Sequence, residues 1–262
     1  MVKFLFPTSL RDVFSRHHLA MLLFPILMLG NANTAIADNK PVLALVKYGV
    51  WEPLAPEFIL YEDGSVIYQR SKSRPSEFFT VRLGAEDEYK IFSLLNAEFA
   101  ELNGEYTLSE AYDLTTYTIM VWKPIHTKVS VYGLGSKENP APAAFEKLYR
   151  FLKDFDRSDA VEWLPDHFTV DVYKISYDKW VYNPIPWPAH WPPLGDITES
   201  NKTHYHLRVP GSDLNLLKSM CPGYGREHPV QIGRKQFIVE YSRQFPHENF
   251  IFSGIRARNP AD

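Results

Sequence analysis

The 262-residue chain has a single cysteine, Cys221, so no intramolecular disulfide can form. No thiol stands near the start of the chain to carry a lipid. No stretch gathers five or more lysines and arginines, and the phosphate-seeking field of a nucleic-acid binder is therefore missing. A permanent membrane span is not expected either. The apolar run from Leu19 to Leu29 is eleven residues interrupted by Pro25, against the roughly 20 that a bilayer core requires. Gly-x-Ser-x-Gly does not occur, so the usual nucleophile elbow of a serine hydrolase is absent. Gly133-Leu134-Gly135-Ser136 lacks the third glycine of a dinucleotide fingerprint and is followed by Pro140 and Pro142, so it reads as a simple turn and no cofactor is assigned.

What is present begins with an export leader. Lys3, Arg11 and Arg16 precede the apolar run, and Ala35-Ile36-Ala37 supplies small residues at −3 and −1 of a cleavage site. Residues 1–37 are therefore expected to be a signal peptide, with the mature chain starting at Asp38 in the periplasm or outside the cell. Their removal leaves 225 residues with 25 basic and 30 acidic side chains, a formal charge of −5. This is ample material for one large core or two small ones.

The hydrophobic pattern then alternates between strand and helix periods. Strands are expected over 41–48, 57–61 and 66–68, with Asp63-Gly64 as a two-residue hairpin turn. A short strand over 80–83 leads to a helix over 85–96, which carries Glu86, Asp87 and Glu88 in its first turn. A second hairpin is expected from 115–122 and 128–132. Phe145, Leu148, Tyr149, Leu152 and Phe155 mark a helix over 142–155, with Pro142 suited to its first turn. Polar residues 154–159 suggest a boundary near 158. Beyond it, strands are expected over 168–175, 203–209, 229–232 and 235–241, with a short helix after Gly211-Ser212-Asp213. Hairpins and single helices, without a crossover after each strand, indicate an α+β fold of largely antiparallel sheets with a few packed helices. The domains are then an N-terminal one over 38–158 and a C-terminal one over 159–262, sharing one core or holding two. Cys221, next to Pro222-Gly223 at an expected helix end, reads as a buried, inert thiol.

Two groups of residues carry recognition chemistry. The passage from Trp180 to Pro193 has five prolines, which remove backbone donors and fix φ, so it is expected to run extended. Trp180, Tyr182, Trp187, His190 and Trp191 then form either a binding surface for an envelope protein or cell-surface ligand, or a lid over a sheet. His204 and His206 share one face of an expected strand, their Cα atoms about 6–7 Å apart. Such a pair can begin a metal site, although no HExxH motif completes it.

Trp163-Leu164-Pro165, Trp187-Pro188 with Trp191-Pro192, Gly233 to Lys235 and Phe245-Pro246 with Glu248 resemble a pattern in an uncharacterised family of exported bacterial proteins. The Gly64 hairpin and the turn at Tyr132 to Gly135 fit the same group. The resemblance implies bacterial origin and export, and no catalytic residue. The expectation is an exported binding or interaction protein of the cell envelope rather than an enzyme. The alternative is a metal-assisted hydrolase using His204 and His206.

Overall fold

Nine of the first eleven residues that can be placed after Asp38 form an apolar strand, β1 (Pro41–Gly49), and its neighbours follow from local turn chemistry. The structure is a computed structural model that describes residues 38–49, 52–70, 77–102, 104–135, 139–174, 184–194, 204–221, 229–232, 235–253 and 255. The expected leader, Trp180 and Tyr182 lie outside these residues.

β2 (Glu52–Tyr61) pairs antiparallel with β1, and β3 (Ser65–Gln69) returns through the expected Asp63-Gly64 turn. Gly64 has φ +82°, a left-handed conformation that its missing Cβ allows, and its N–H donates to the Tyr61 carbonyl at 3.0 Å. The Asp63 carboxylate accepts from the Ser65 N–H at 3.0 Å, which fixes the turn from its other side. β4 (Phe78–Arg82) completes the opening meander.

β6 (Thr116–Val121) and β7 (Thr127–Tyr132) form the second expected hairpin, and β6 docks on β1. Two short strands were not visible in the hydrophobic pattern: β5 (Gly104–Thr107), which runs parallel to β7, and β8 (Val161–Glu162), which closes the far edge beside β4. The first sheet thus runs β5-β7-β6-β1-β2-β3-β4-β8.

Three helices cover one face of this sheet. α1 (Ala85–Leu94) ends two residues before its expected limit. Asn96 instead caps a separate short turn, α2 (Ala97–Ala100), by accepting from the Phe99 N–H at 3.0 Å. α3 (Ala143–Lys153) begins just after Pro142, which stands at the cap rather than within the first turn. Its buried residues Ala144, Phe145, Leu148 and Leu152 follow the expected stripe and meet Leu45, Phe58, Val66 and Val129 of the sheet. Strand alternation sends Ala44, Val46, Ile59, Tyr61, Ile67 and Met120 to the opposite face. There they pack against Trp163, Phe245 and the last helix, α5 (Glu248–Ser253). Both faces of β1 and β2 are accordingly covered.

The second sheet has the order β10-β12-β13-β9-β11. β9 (His167–Lys174) lies between β13 (Lys235–Arg243) and the edge strand β11 (His204–Pro210), antiparallel to both. β12 (Val230–Ile232) pairs antiparallel with β13, and β10 (Ile185–Pro186) pairs parallel with β12. A single 3-10 turn, Gly211–Asp213, leads from β11 into α4 (Leu214–Met220). Phe168, Val170, Val172, Leu207, Val209, Phe237 and Val239 face α4, so this sheet is apolar on one side only. The fold is α+β with two mostly antiparallel sheets, as the alternation of patterns indicated. No helix among the described residues is long and apolar enough to cross a membrane.

At the join between the chain's two sheets, Trp163 stacks on Phe245, ring centroids 5.0 Å apart, and both pack edgewise on Phe78. The largely buried Arg243 guanidinium lies 5.1 Å over the Phe78 ring and 5.7 Å over that of Phe168, and its Nε has no hydrogen-bond acceptor among the described residues. Burial works against its charge and the Tyr241, Glu162 and Glu77 groups favour it, with a net lowering of its proton affinity.

Candidate metal site on the open face of the second sheet

The face of the second sheet that turns away from α4 is where ionisable groups converge. In β9, His-Phe-Thr-Val-Asp-Val-Tyr-Lys alternates strictly, so Phe168, Val170 and Val172 point inward while Thr169, Asp171 and Tyr173 point outward. β11 does the same, with Tyr205, Leu207 and Val209 inside and His204, His206 and Arg208 outside. The antiparallel register sets His206 directly opposite Asp171 and His204 opposite Tyr173.

The result is a convergent triad. His204 Nε2 lies 2.9 Å from Asp171 Oδ1, and His206 Nδ1 bonds the same carboxylate oxygen. The two imidazole rings are 4.3 Å apart, and the Tyr173 ring lies flat on His204 with centroids 4.4 Å apart and planes 12° from parallel. One potential ligand atom from each of Asp171, His204 and His206 falls within 4.8 Å of the others. The His206 side chain is 67% exposed, so the group opens to solvent. On the far side of Asp171, Glu240 of β13 stands opposite it in register. Partial burial and the charges of Asp171 and Glu240 together raise the Tyr173 phenol above its ordinary range, so it stays a neutral donor beside the triad.

Two imidazole nitrogens and a carboxylate oxygen suit a borderline divalent ion such as zinc, and three protein ligands leave a coordination position for water or another molecule. Ligand atoms bound tetrahedrally at about 2.1 Å stand about 3.4 Å apart, so the rings, hydrogen-bonded to the carboxylate here, would move slightly outward from Asp171 Oδ1 to admit an ion. An ion there would replace the direct contacts that the carboxylate makes with the two rings.

The histidine pair was legible in the sequence, and Asp171 was not singled out. It lies 33 residues from His204, and only strand register brings the two together. The available signal was a carboxylate at an outward position of a strand otherwise built from Phe, Val and Tyr.

The Trp/Pro passage is described from Pro184 onward. Ile185 and Trp187 donate their N–H groups to the Pro229 and Gln231 carbonyls, at 2.9 and 3.3 Å, so the segment runs extended along β12. Trp191 is 3% exposed and belongs to the core under α4, its indole N–H donating to Asp213 Oδ2 at 2.7 Å. Trp187 is half-buried and meets Trp191 edge to face at 5.3 Å, while its own indole N–H is buried without an acceptor among the described residues. His190 is the exposed member and bonds the same Asp213 oxygen at 2.9 Å. These three residues are thus tied to the second sheet and not to the His/Asp triad. Cys221 is half-buried at the end of α4, rather than fully buried, and its thiol donates to the Val239 carbonyl at 2.6 Å.

Compared with protein-family models, with curated proteins and with solved structures, the chain matches none.

Proposed function

We propose that this chain is an exported bacterial envelope protein that binds a divalent transition-metal ion through Asp171, His204 and His206. The observation that carries the reading is the convergence of three ligand atoms within 4.8 Å on a sheet face that needs no ionisable group for its core. The exposure of His206 favours reversible capture of an ion over metal-assisted hydrolysis, which works best in a site that excludes water. The leader sequence supports export, and with it access to ions outside the cytoplasm.

Purified residues 38–262 are expected to bind one zinc ion per chain by calorimetry. Losing even an outer-sphere partner of a metal typically weakens binding 10- to 100-fold, so His206→Ala or His204→Ala should cost about 100-fold or more. Circular dichroism should be unchanged in these variants, because both side chains lie outside the core. Wild-type protein without stoichiometric zinc, or variants that bind it as well as wild type, would reject the site. The export half is checked separately by the first residue of the protein recovered from its native cells. Asp38 is expected, and Met1 would overturn it.

A further inference from the structure

Where β9 begins, a cavity of about 210 Å³ is walled by segments that the metal site does not use. Trp163, Pro165, Phe245 and Pro246 make its apolar side, the Trp163 and Phe245 rings stacked on each other. Its polar side carries Asp166, His167, Arg208 and Gln244. Two opposite charges thus share one cavity, yet among the described residues they form no ion pair with each other. Arg208 donates from Nη2 to Gln244 Oε1 at 3.0 Å, a neutral partner that holds the guanidinium and leaves its charge uncompensated. Register shows where this contact takes the guanidinium. Arg243 stands opposite Phe168, so Gln244 follows at the level of His167, the residue next to Asp166. Asp166 is itself fixed through its backbone, its carbonyl accepting from the Gly211 N–H at 2.9 Å. Its side chain is exposed, and its carboxylate has no hydrogen-bond or ion-pair partner among the described residues.

We infer that this cavity binds a free α-amino acid as its zwitterion, the carboxylate on the Arg208 guanidinium, the ammonium on Asp166 and a neutral side chain against the Trp163 and Phe245 stack. The inference does not depend on the metal. A guanidinium presents paired N–H groups that match a carboxylate, and the Asp166 carboxylate accepts from an ammonium at the other end of the same small molecule. A purely anionic ligand meets like charge at Asp166, and a purely cationic one meets it at Arg208, so only a ligand with both charges is complementary to the whole cavity. Size points the same way. Pockets for drug-sized ligands typically measure about 300–1,000 Å³, and the smaller volume here suits a single amino acid rather than a peptide. Gln244 already holds the guanidinium in place, so less side-chain freedom is lost on binding.

The test titrates purified residues 38–262 by calorimetry with L-alanine, L-leucine and L-phenylalanine. At least one is expected to bind at a single site with a Kd of about 1 mM or tighter. Its analogues that lack one charged end, for leucine isocaproate and isopentylamine, should bind tenfold or more weakly, since a hydrogen bond to a charged group is lost in each. Arg208→Gln and Asp166→Asn should each weaken the amino acid as much, with unchanged melting temperatures because both side chains are exposed. Asp166→Asn should also erase the preference for the amino acid over the analogue without an ammonium, which a merely structural effect would not do. A chelator should change none of this. No binding of any of the three amino acids, an analogue that binds as well as its parent, binding indifferent to either substitution, or binding abolished by the chelator overturns the site, and none of these outcomes touches the metal reading.

Discussion

Replacing Gly211 with alanine should lower stability by about 3 kcal/mol or more, because the added methyl group has nowhere to go. A Cβ built at this position falls 1.9 Å from the Pro165 carbonyl oxygen and 3.1 Å from its carbon, and neither atom belongs to a side chain that could swing aside. The Gly211 N–H also donates to the Asp166 carbonyl at 2.9 Å, so separating the two segments breaks that bond as well. Overpacking alone typically costs 1–3 kcal/mol and the lost hydrogen bond about 1 more. For a chain of this size the melting temperature should fall by about 6–12 °C. Gly84→Ala is the control, since no described residue lies within 4 Å of a Cβ there, and its effect should stay below about 1 kcal/mol. Equal melting temperatures for the two variants would mean that the approach of residues 165 and 211 is not as close as described.

The second large effect concerns Glu57, a carboxylate only 5% exposed in β2. Its Oε1 is paired with Lys153 Nζ of α3 at 2.5 Å, and its Oε2 is buried without a partner among the described residues. Lys153→Met keeps the length and packing of the side chain and removes the only cation recorded on that oxygen among the described residues. A buried charge stripped of its partner typically costs 3–5 kcal/mol, and the 29% exposure of Lys153 places this case near 3. The double variant Glu57→Leu with Lys153→Met should recover most of that loss, because apolar replacements of a buried pair are often neutral. Chemical denaturation of the wild type, the single variants Lys153→Met and Glu57→Leu, and the double variant gives the coupling between the two positions. A double variant no more stable than Lys153→Met alone would show that α3 is not tied to the sheet through this charge pair.

Much of this architecture is written in short-range chemistry. Asp63-Gly64 announced its hairpin because the turn demands a left-handed residue and a carboxylate that can bond its own backbone. The stripe Phe145, Leu148, Leu152 announced α3 because helix geometry repeats close to that interval. The strands that escaped, β5 and β8, are four and two residues long and have too little alternation to stand out, and the six-residue helix α5 escaped as well. The split of 85–100 into α1 and α2 depends on Asn96 preferring a cap, a choice weaker than the helical pattern around it. The site divides along the same line. His204 and His206 are two apart on one strand and could be paired by inspection, whereas Asp171 joins them only through the register of β9 with β11. Trp191 was visible as an anchor, but the direction in which it points is set by Asp213 on another element.

The contrast between the two sheets has a consequence for how readily the chain could acquire new chemistry. The first is sandwiched, and nearly every position in its central strands is answerable to a neighbour above or below. Among the described residues, the outer side of the second carries side chains that answer mainly to one another. Polar side chains can be exchanged there, moved by two positions along a strand or added from β13 without reopening the interior, which makes that side the natural place to build new surface chemistry.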